Sequence, residues 1–280
     1  MKKLLLFFGV LTTFSLLATT IPNSITLTSG NILIRLDSKK FYNTNRIEWK
    51  NFLVGVDEIG AHYGVTYQPK GSKFFIGSGH DESGKTEKLV SLDILVDNKK
   101  ITPKENVVIK GKKIQITKFS KIINLRLKYT TIIENDVIYE RSELFSVKDV
   151  AINYLYLFMH PWSTRFDQFH AIFHNGKKLD IKLNSSNTFP NRKFVPSAAW
   201  YDSKSGIGVV TTITNIKGKK LPRRFLWDRS NYRKDYLCDY SKSILPTNKV
   251  VIYEAKTSFF QEQDSTKWIS VAEKLFSTTP

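Results

Sequence analysis

Short runs of β-branched and aromatic residues, alternating with polar ones and separated by turn residues, extend through almost all of this sequence. Leu125-Arg-Leu-Lys-Tyr-Thr-Thr-Ile-Ile alternates with a period of two, Glu134-Asn135-Asp136 turns, and Val137-Ile-Tyr-Glu-Arg-Ser-Glu-Leu-Phe returns. That period puts successive side chains on opposite faces of a sheet. Ile25-Thr-Leu-Thr and Ile32-Leu-Ile-Arg-Leu read as strands too. Residues 89–96 lead into a turn at Asp97-Asn98-Lys99-Lys100, and Val107-Val-Ile-Lys-Gly-Lys-Lys-Ile-Gln-Ile reads as strand, Gly111 turn, strand. Residues 151–160 fit a strand buried on both faces or a short buried helix, and their Ile, Tyr and Phe favour the strand. Residues 207–214 and 249–260 add two more strands. Signals at roughly 8–12-residue spacing without alternating helices predict an all-β fold, a large antiparallel β-sandwich.

Helix signals are few. Residues 47–60 can hold one short helix. A better one lies over residues 264–276, with Asp264 or Ser265 as cap and Trp268, Val271, Ala272 and Leu275 on one apolar face. No repeat or low-complexity linker divides the chain, so one sandwich domain is expected over residues 21–280.

Lys2 and Lys3 precede an uncharged apolar run over residues 4–18, and Ala18 and Thr20 are small. This is the layout of a signal peptide over residues 1–20. The run is shorter than the about 20 apolar residues that a membrane span needs, and so is the uncharged stretch 151–164. The mature chain is therefore expected to be exported, periplasmic or secreted, with no transmembrane segment. The sequence holds 43 Lys and Arg against 25 Asp and Glu, so its net charge is +18. Losing the leader removes Lys2 and Lys3 and no acid, which makes it +16. One cysteine, Cys238, excludes a disulfide framework and any multi-cysteine metal site.

Four stretches carry a likeness. They are Leu92-Asp-Ile-Leu-Val-Asp-Asn-Lys-Lys, the hairpin Asn124-Leu-Arg-Leu-Lys-Tyr-Thr-Thr-Ile-Ile-Glu-Asn-Asp-Val-Ile-Tyr-Glu-Arg, Trp200-Tyr-Asp-Ser-Lys-Ser-Gly-Ile-Gly-Val-Val, and Ile244-Leu-Pro-Thr-Asn-Lys-Val-Val-Ile-Tyr-Glu-Ala. In order and pattern they resemble the galactose mutarotase-like supersandwich. Aldose epimerases share that fold with the sugar-binding domains of many glycoside hydrolases and polysaccharide lyases. The resemblance implies a sugar ligand. In the epimerases a Pro-Gly-Glu in the fourth stretch supplies the catalytic base, and here the matching positions read Pro246-Thr247-Asn248. The missing glutamate argues against a mutarotase proper; a histidine acid would fall to His160.

Two clusters can carry chemistry. The first is Phe158-Met-His160-Pro161-Trp162-Ser-Thr-Arg165-Phe-Asp167-Gln168-Phe-His170, where a strand runs into a loop at Pro161. Trp162 can stack on a sugar face, Arg165 can clamp a carboxylate or sulfate, and His160 or His170 can move protons near neutral pH. The plain structural reading is a core-edge Trp, a histidine bonded to backbone and an Arg165–Asp167 surface pair. The second cluster, Arg223-Arg224-Phe-Leu-Trp227-Asp228-Arg229-Ser-Asn-Tyr232-Arg233-Lys234-Asp-Tyr236, interleaves cations with aromatics. Such a mixture suits an anionic polymer, or a solvated basic loop pinned by its rings. Export favours an acidic polysaccharide over nucleic acid.

The predicted binding set is Trp162, Arg165, His170, Trp200, Trp227, Arg229 and Arg233, with His160 and Tyr232 as catalytic candidates. No metal and no cofactor is predicted. His170 and His174 lie in a strand-like stretch that would hold them about 13 Å apart. The glycine-rich stretch around His80 lacks the ending of a phosphate loop and reads as a mobile surface loop. Three functions fit: a secreted carbohydrate-binding or carbohydrate-active protein, a basic envelope protein held to an anionic surface polymer, and a polysaccharide lyase with a Tyr or His base.

Overall fold

The computed structural model describes residues 21–58, 60–77, 80–81, 87–105, 107–217, 222–239 and 242–277. The expected leader, residues 1–20, lies outside them. Two sheets account for most of the chain. The larger has thirteen described strands, and its main path starts at Val108–Lys110 and Ser24–Ser29. It continues through Ile32–Asp37, Asn43–Trp49 and Phe52–Gly55 to the central strand Val150–Trp162. Arg233–Asp239, Arg223–Asp228 and Thr188–Asn191 extend it on the other side, and Thr66–Pro69 pairs with the central strand off the main path. The smaller sheet has ten described strands, among them Gln168–Ile172, Ser197–Asp202, Ile207–Lys217, Val250–Gln261, Val137–Ser146, Leu125–Glu134 and Lys113–Ile122. Among the described pairings only Ser24–Ser29 with Val108–Lys110 is parallel. The architecture is the predicted antiparallel-rich all-β sandwich.

Turn chemistry sets the hairpins. Asp97 and Asn98 have φ of 50° and 67°, and Asn135 and Asp136 have φ of 52° and 57°. Two consecutive left-handed residues match the right-handed twist of paired strands, and Asn and Asp tolerate that conformation. Lys50 and Asn51 do the same with φ of 50° and 62°. The expected helix over 47–60 is therefore corrected: Asn43–Trp49 and Phe52–Gly55 are paired strands around that turn. Gly111 does not close a hairpin either. Val108–Lys110 belongs to the larger sheet and Lys113–Ile122 to the smaller, so the chain crosses between sheets there.

The core lies between the sheets in two main clusters. One contains Ile34, Trp162, Ile116 and Trp200; the other contains Leu125, Leu155, Leu237 and Tyr253. The C-terminal helix, Trp268–Ser277, covers the outer face of the smaller sheet, where Trp268 stacks on Tyr201 at 4.9 Å. No helix among the described residues is long and apolar enough to cross a membrane.

One irregularity positions everything that follows. Register shifts between Tyr156 and Phe158 where the central strand pairs with Arg233–Asp239. A bulge of one extra residue reverses which parity faces the core. Before it, Leu155 is buried in the core and Tyr156 faces away; after it, Phe158, His160 and Trp162 face inward.

Candidate ligand-binding site

A cavity of about 440 Å³ opens on the face of the larger sheet turned away from the core. Period-two alternation selects its wall. In Arg233–Asp239, Lys234 and Tyr236 face the cavity while Asp235 and Leu237 face the core. In Arg223–Asp228, Trp227 faces it while Arg224 and Leu226 are buried. Arg229 and Tyr232 follow from the connection between these strands, and Tyr156 and Met159 come from the central strand on either side of its bulge. The opposite wall carries His62, Phe75 and His80. Hydrogen bonds tie the walls together: the Tyr232 hydroxyl donates to the Gly60 carbonyl at 2.9 Å, and Lys234 Nζ donates to the His62 carbonyl at 2.6 Å.

Rings line this cavity almost continuously. Trp227 stacks on Phe189 at 4.9 Å, Tyr156 lies 5.0 Å from Tyr236 and 5.5 Å from Phe75, and the His62 and His80 rings are 3.8 Å apart. Cations sit among them. The Arg229 guanidinium lies 4.4 Å from the Trp227 ring and 5.1 Å from Tyr232; Lys234 Nζ lies 5.2 Å from Tyr232 and 5.6 Å from Tyr236. Ring faces attract such cations and hold them in place. Among the described residues no carboxylate pairs with Arg229 or Lys234 and none lines the wall. Arg229 Nε and His62 Nδ1 are buried without a hydrogen-bond partner.

Burial decides the protonation of the wall. It pulls Lys234 well below the usual lysine range, and Lys40 and Arg229 add repulsion. Burial, with His80 and the nearby lysines, lowers His62 to about 2, so its imidazole is neutral. Burial raises Tyr232 and Tyr236, so both phenols stay protonated; the Tyr232 proton is taken by the Gly60 carbonyl, which leaves the Tyr236 hydroxyl as a donor. The cavity thus offers flat apolar faces, a hydroxyl donor at Tyr236, and the Arg229 charge with no partner anion among the described residues. It suits a ligand with an apolar ring face and a negative group.

No protein-family profile matches the chain, and no curated protein does. Solved structures do. A galactose mutarotase-related enzyme from Lactobacillus acidophilus superposes with a TM-score of 0.52 at 9% identity, over 86% of this chain and 98% of its own. A putative aldose 1-epimerase from Escherichia coli K12 gives 0.50 at 7% identity, over 85% of this chain and 99% of its own. The fold is that of the galactose mutarotase-like β-sandwiches. An α-N-acetylgalactosaminidase from Bifidobacterium bifidum, in complex with GalNAc, matches 90% of this chain with a TM-score of 0.53 at 10% identity, but only 38% of its own length.

Within this mutarotase-like sandwich the predicted residues separate. Trp227, Arg229 and Tyr232 line the cavity. Trp162 and Trp200 do not: both have 0% exposure and pack in the core 5.8 Å from each other. The bulge turns Trp162 inward, so it has no face left for a ligand. His160 is turned inward by the same step. Its Nε2 lies 2.7 Å from Glu140 Oε2, and its ring stacks between Phe158 and Trp162. Arg233 is buried against Asp228 at 2.5 Å and donates to the carbonyls of Phe166 and Arg229. His170 is buried between Asp180 at 2.6 Å and Glu273 at 3.1 Å, and it anchors the C-terminal helix. Arg165 is on another surface, over the Phe52 ring and 3.2 Å from Asp202 rather than paired with Asp167. The turn Pro246-Thr247-Asn248 packs on Asp149, which accepts from the Thr247 amide at 2.6 Å. None of its residues lines the cavity. Glu254 is paired with Arg141 on the smaller sheet.

Sequence reasoning missed His62, Phe75, His80, Tyr156 and Phe189, and it left Lys234 and Tyr236 out of the binding set although the second cluster contains them. The Tyr232-x-Lys234-x-Tyr236 alternation, running from the connection into the strand, was available as a signal, because residues two apart in extended chain share a face. The stretch around His80 lies partly outside the described residues, but Ile76–Gly77 and His80–Asp81 pair as short strands. His62 carries no local signal; long-range pairing alone brings it to the wall.

Proposed function

We propose that this protein binds a carbohydrate bearing acidic groups in the cavity around Arg229 and Lys234. The observation that carries this reading is the placement of Arg229, with Lys234 beside it, in a belt of Trp, Tyr and Phe rings and without a carboxylate partner among the described residues. A sugar ring presents an apolar face that such rings cover, and a carboxylate or sulfate answers the positive field. The sugar-related names of the structural neighbours, a galactose mutarotase-related enzyme and an α-N-acetylgalactosaminidase, support the same class. The leader-like residues 1–20 support a site outside the cytoplasm, where acidic polysaccharides occur.

The mature protein titrated with an acidic oligosaccharide tests this reading. Binding is expected to the acidic form and to weaken strongly for its carboxyl-reduced neutral counterpart. Arg229→Ala should cost about tenfold or more in affinity, the range of a charge-assisted contact. Equal affinity for the acidic and reduced forms would remove the charge argument. The same incubation can be followed for unsaturated products, whose appearance would add β-elimination to binding.

A further inference from the structure

A second hollow of about 720 Å³ adjoins the first, and Phe189 forms part of both walls. On the first side Trp227 stacks on the Phe189 ring; over the same ring, 4.5 Å from its centroid, sits the Arg192 guanidinium. Arg192 lines the second hollow, yet its charge also acts on Tyr156 of the first. The second wall repeats the chemistry of the first. Lys177, Arg192 and Lys193 are exposed there, and Phe194 packs against His174 at 5.3 Å.

We propose that the ligand is a polymer, an acidic polysaccharide whose chain passes from the first cavity over Phe189 into the second hollow. This rests on the reading that the first cavity takes an acidic saccharide, and it adds that the protein recognises several linked residues. A single sugar fills one small-ligand site and leaves the second set of rings and cations unused. A chain with one negative group per residue places charge beside Arg229 and Lys234 and again beside Arg192 and Lys193. Each added contact displaces further counterions, so longer chains bind tighter and with steeper salt dependence.

Calorimetric titration with oligouronates from disaccharide to octasaccharide tests this. Affinity is expected to rise about tenfold or more across the series. The Arg192→Ala/Lys193→Ala variant should lose that gain, with the loss growing with chain length and the disaccharide affected least. Both side chains are exposed, and an unchanged thermal midpoint confirms that the variant is folded. The control Lys110→Ala/Lys112→Ala removes equal charge at the far edge of the larger sheet and should keep the length dependence. Equal affinity for all lengths, or an unaltered length series in the Arg192/Lys193 variant, overturns the polymer proposal but leaves the acidic-sugar site standing. Loss of the length dependence in the control as well assigns it to diffuse charge and also overturns the proposal. No binding of any oligouronate overturns the underlying reading instead.

Discussion

At the residue scale, the instructive group is His160. It joins the sheets through a buried chain: the Tyr129 hydroxyl donates to Glu140, Glu140 meets His160, and Asp235 takes both nitrogens of a bidentate Arg224. Burial opposes the imidazolium, but Glu140 and Asp235 outweigh it and raise His160 to about 9. Burial pushes Glu140 and Asp235 up, and their cationic partners win there too, so both are lowered. The signs give a window. The His160 contribution is complete below its unfolded value of about 6.5 and is lost as pH rises through about 9. The carboxylate contributions are present above about 4 to 4.5 and are lost as pH falls. His160→Gln should cost about 3–5 kcal/mol, because it leaves buried Glu140 without its cation, while Asp235 keeps Arg224. Urea unfolding across pH 6.5 to 9 checks this: the wild type should lose stability over that range more steeply than the variant, and parallel curves would refute the assignment. Lys234 gives a second test. Its value is depressed in the free protein, so a bound anion restores it and binding takes up a proton. Calorimetry in buffers of different ionisation enthalpy should show that uptake; its absence would place the anion elsewhere. These roles were only half legible. The clusters around 160 and 223–236 were visible as chemistry-bearing, but inward and outward side chains of one strand look alike until parity is known. Arg233 read as a ligand cation because Asp228, which pairs with it inside, gave no separate signal.

At the element scale, strands with clean alternation, such as Leu125–Glu134, were legible because one face meets the core and the other solvent. The central strand was recognised as a strand, yet its bulge was not, because an extra residue leaves no mark in composition. The 47–60 misreading has a related cause: Lys50 and Asn51 form a left-handed turn without the glycine that usually announces one. The C-terminal helix was found from its 3.6-residue apolar face, and the structure gives that face its partner. Trp268 covers Tyr201 and donates to Gln168 Oε1 at 3.1 Å, while Glu273 meets buried His170. Trp268→Ala should therefore destabilise the protein by about 3–5 kcal/mol through the loss of a buried ring. Denaturant unfolding would show it as a lower midpoint, and near wild-type stability would mean that the helix contributes little.

At the scale of the whole molecule, the fold was legible because period-two patterning and turn spacing are distributed through the chain. The cavity was not, because it is assembled from segments around 62, 156, 189 and 229. Such pairings, formed between residues far apart in sequence, also predict slow folding, in the millisecond-to-second range. Stopped-flow refolding in microseconds would contradict the topology. The net charge of +18 divides into three parts: arginines neutralised inside, lysines spread over the surface, and a few cations facing the two hollows. Diffuse charge attracts any polyanion, so affinity alone does not test the site. The deciding measurement is a calorimetric comparison of an acidic hexasaccharide with its carboxyl-reduced form, on the wild type and on Arg229→Ala. The account predicts saturable one-site binding of the acidic form, weakened about tenfold or more by Arg229→Ala and by carboxyl reduction. Equal binding by the wild type and Arg229→Ala, or equal binding of the two saccharides, would contradict it.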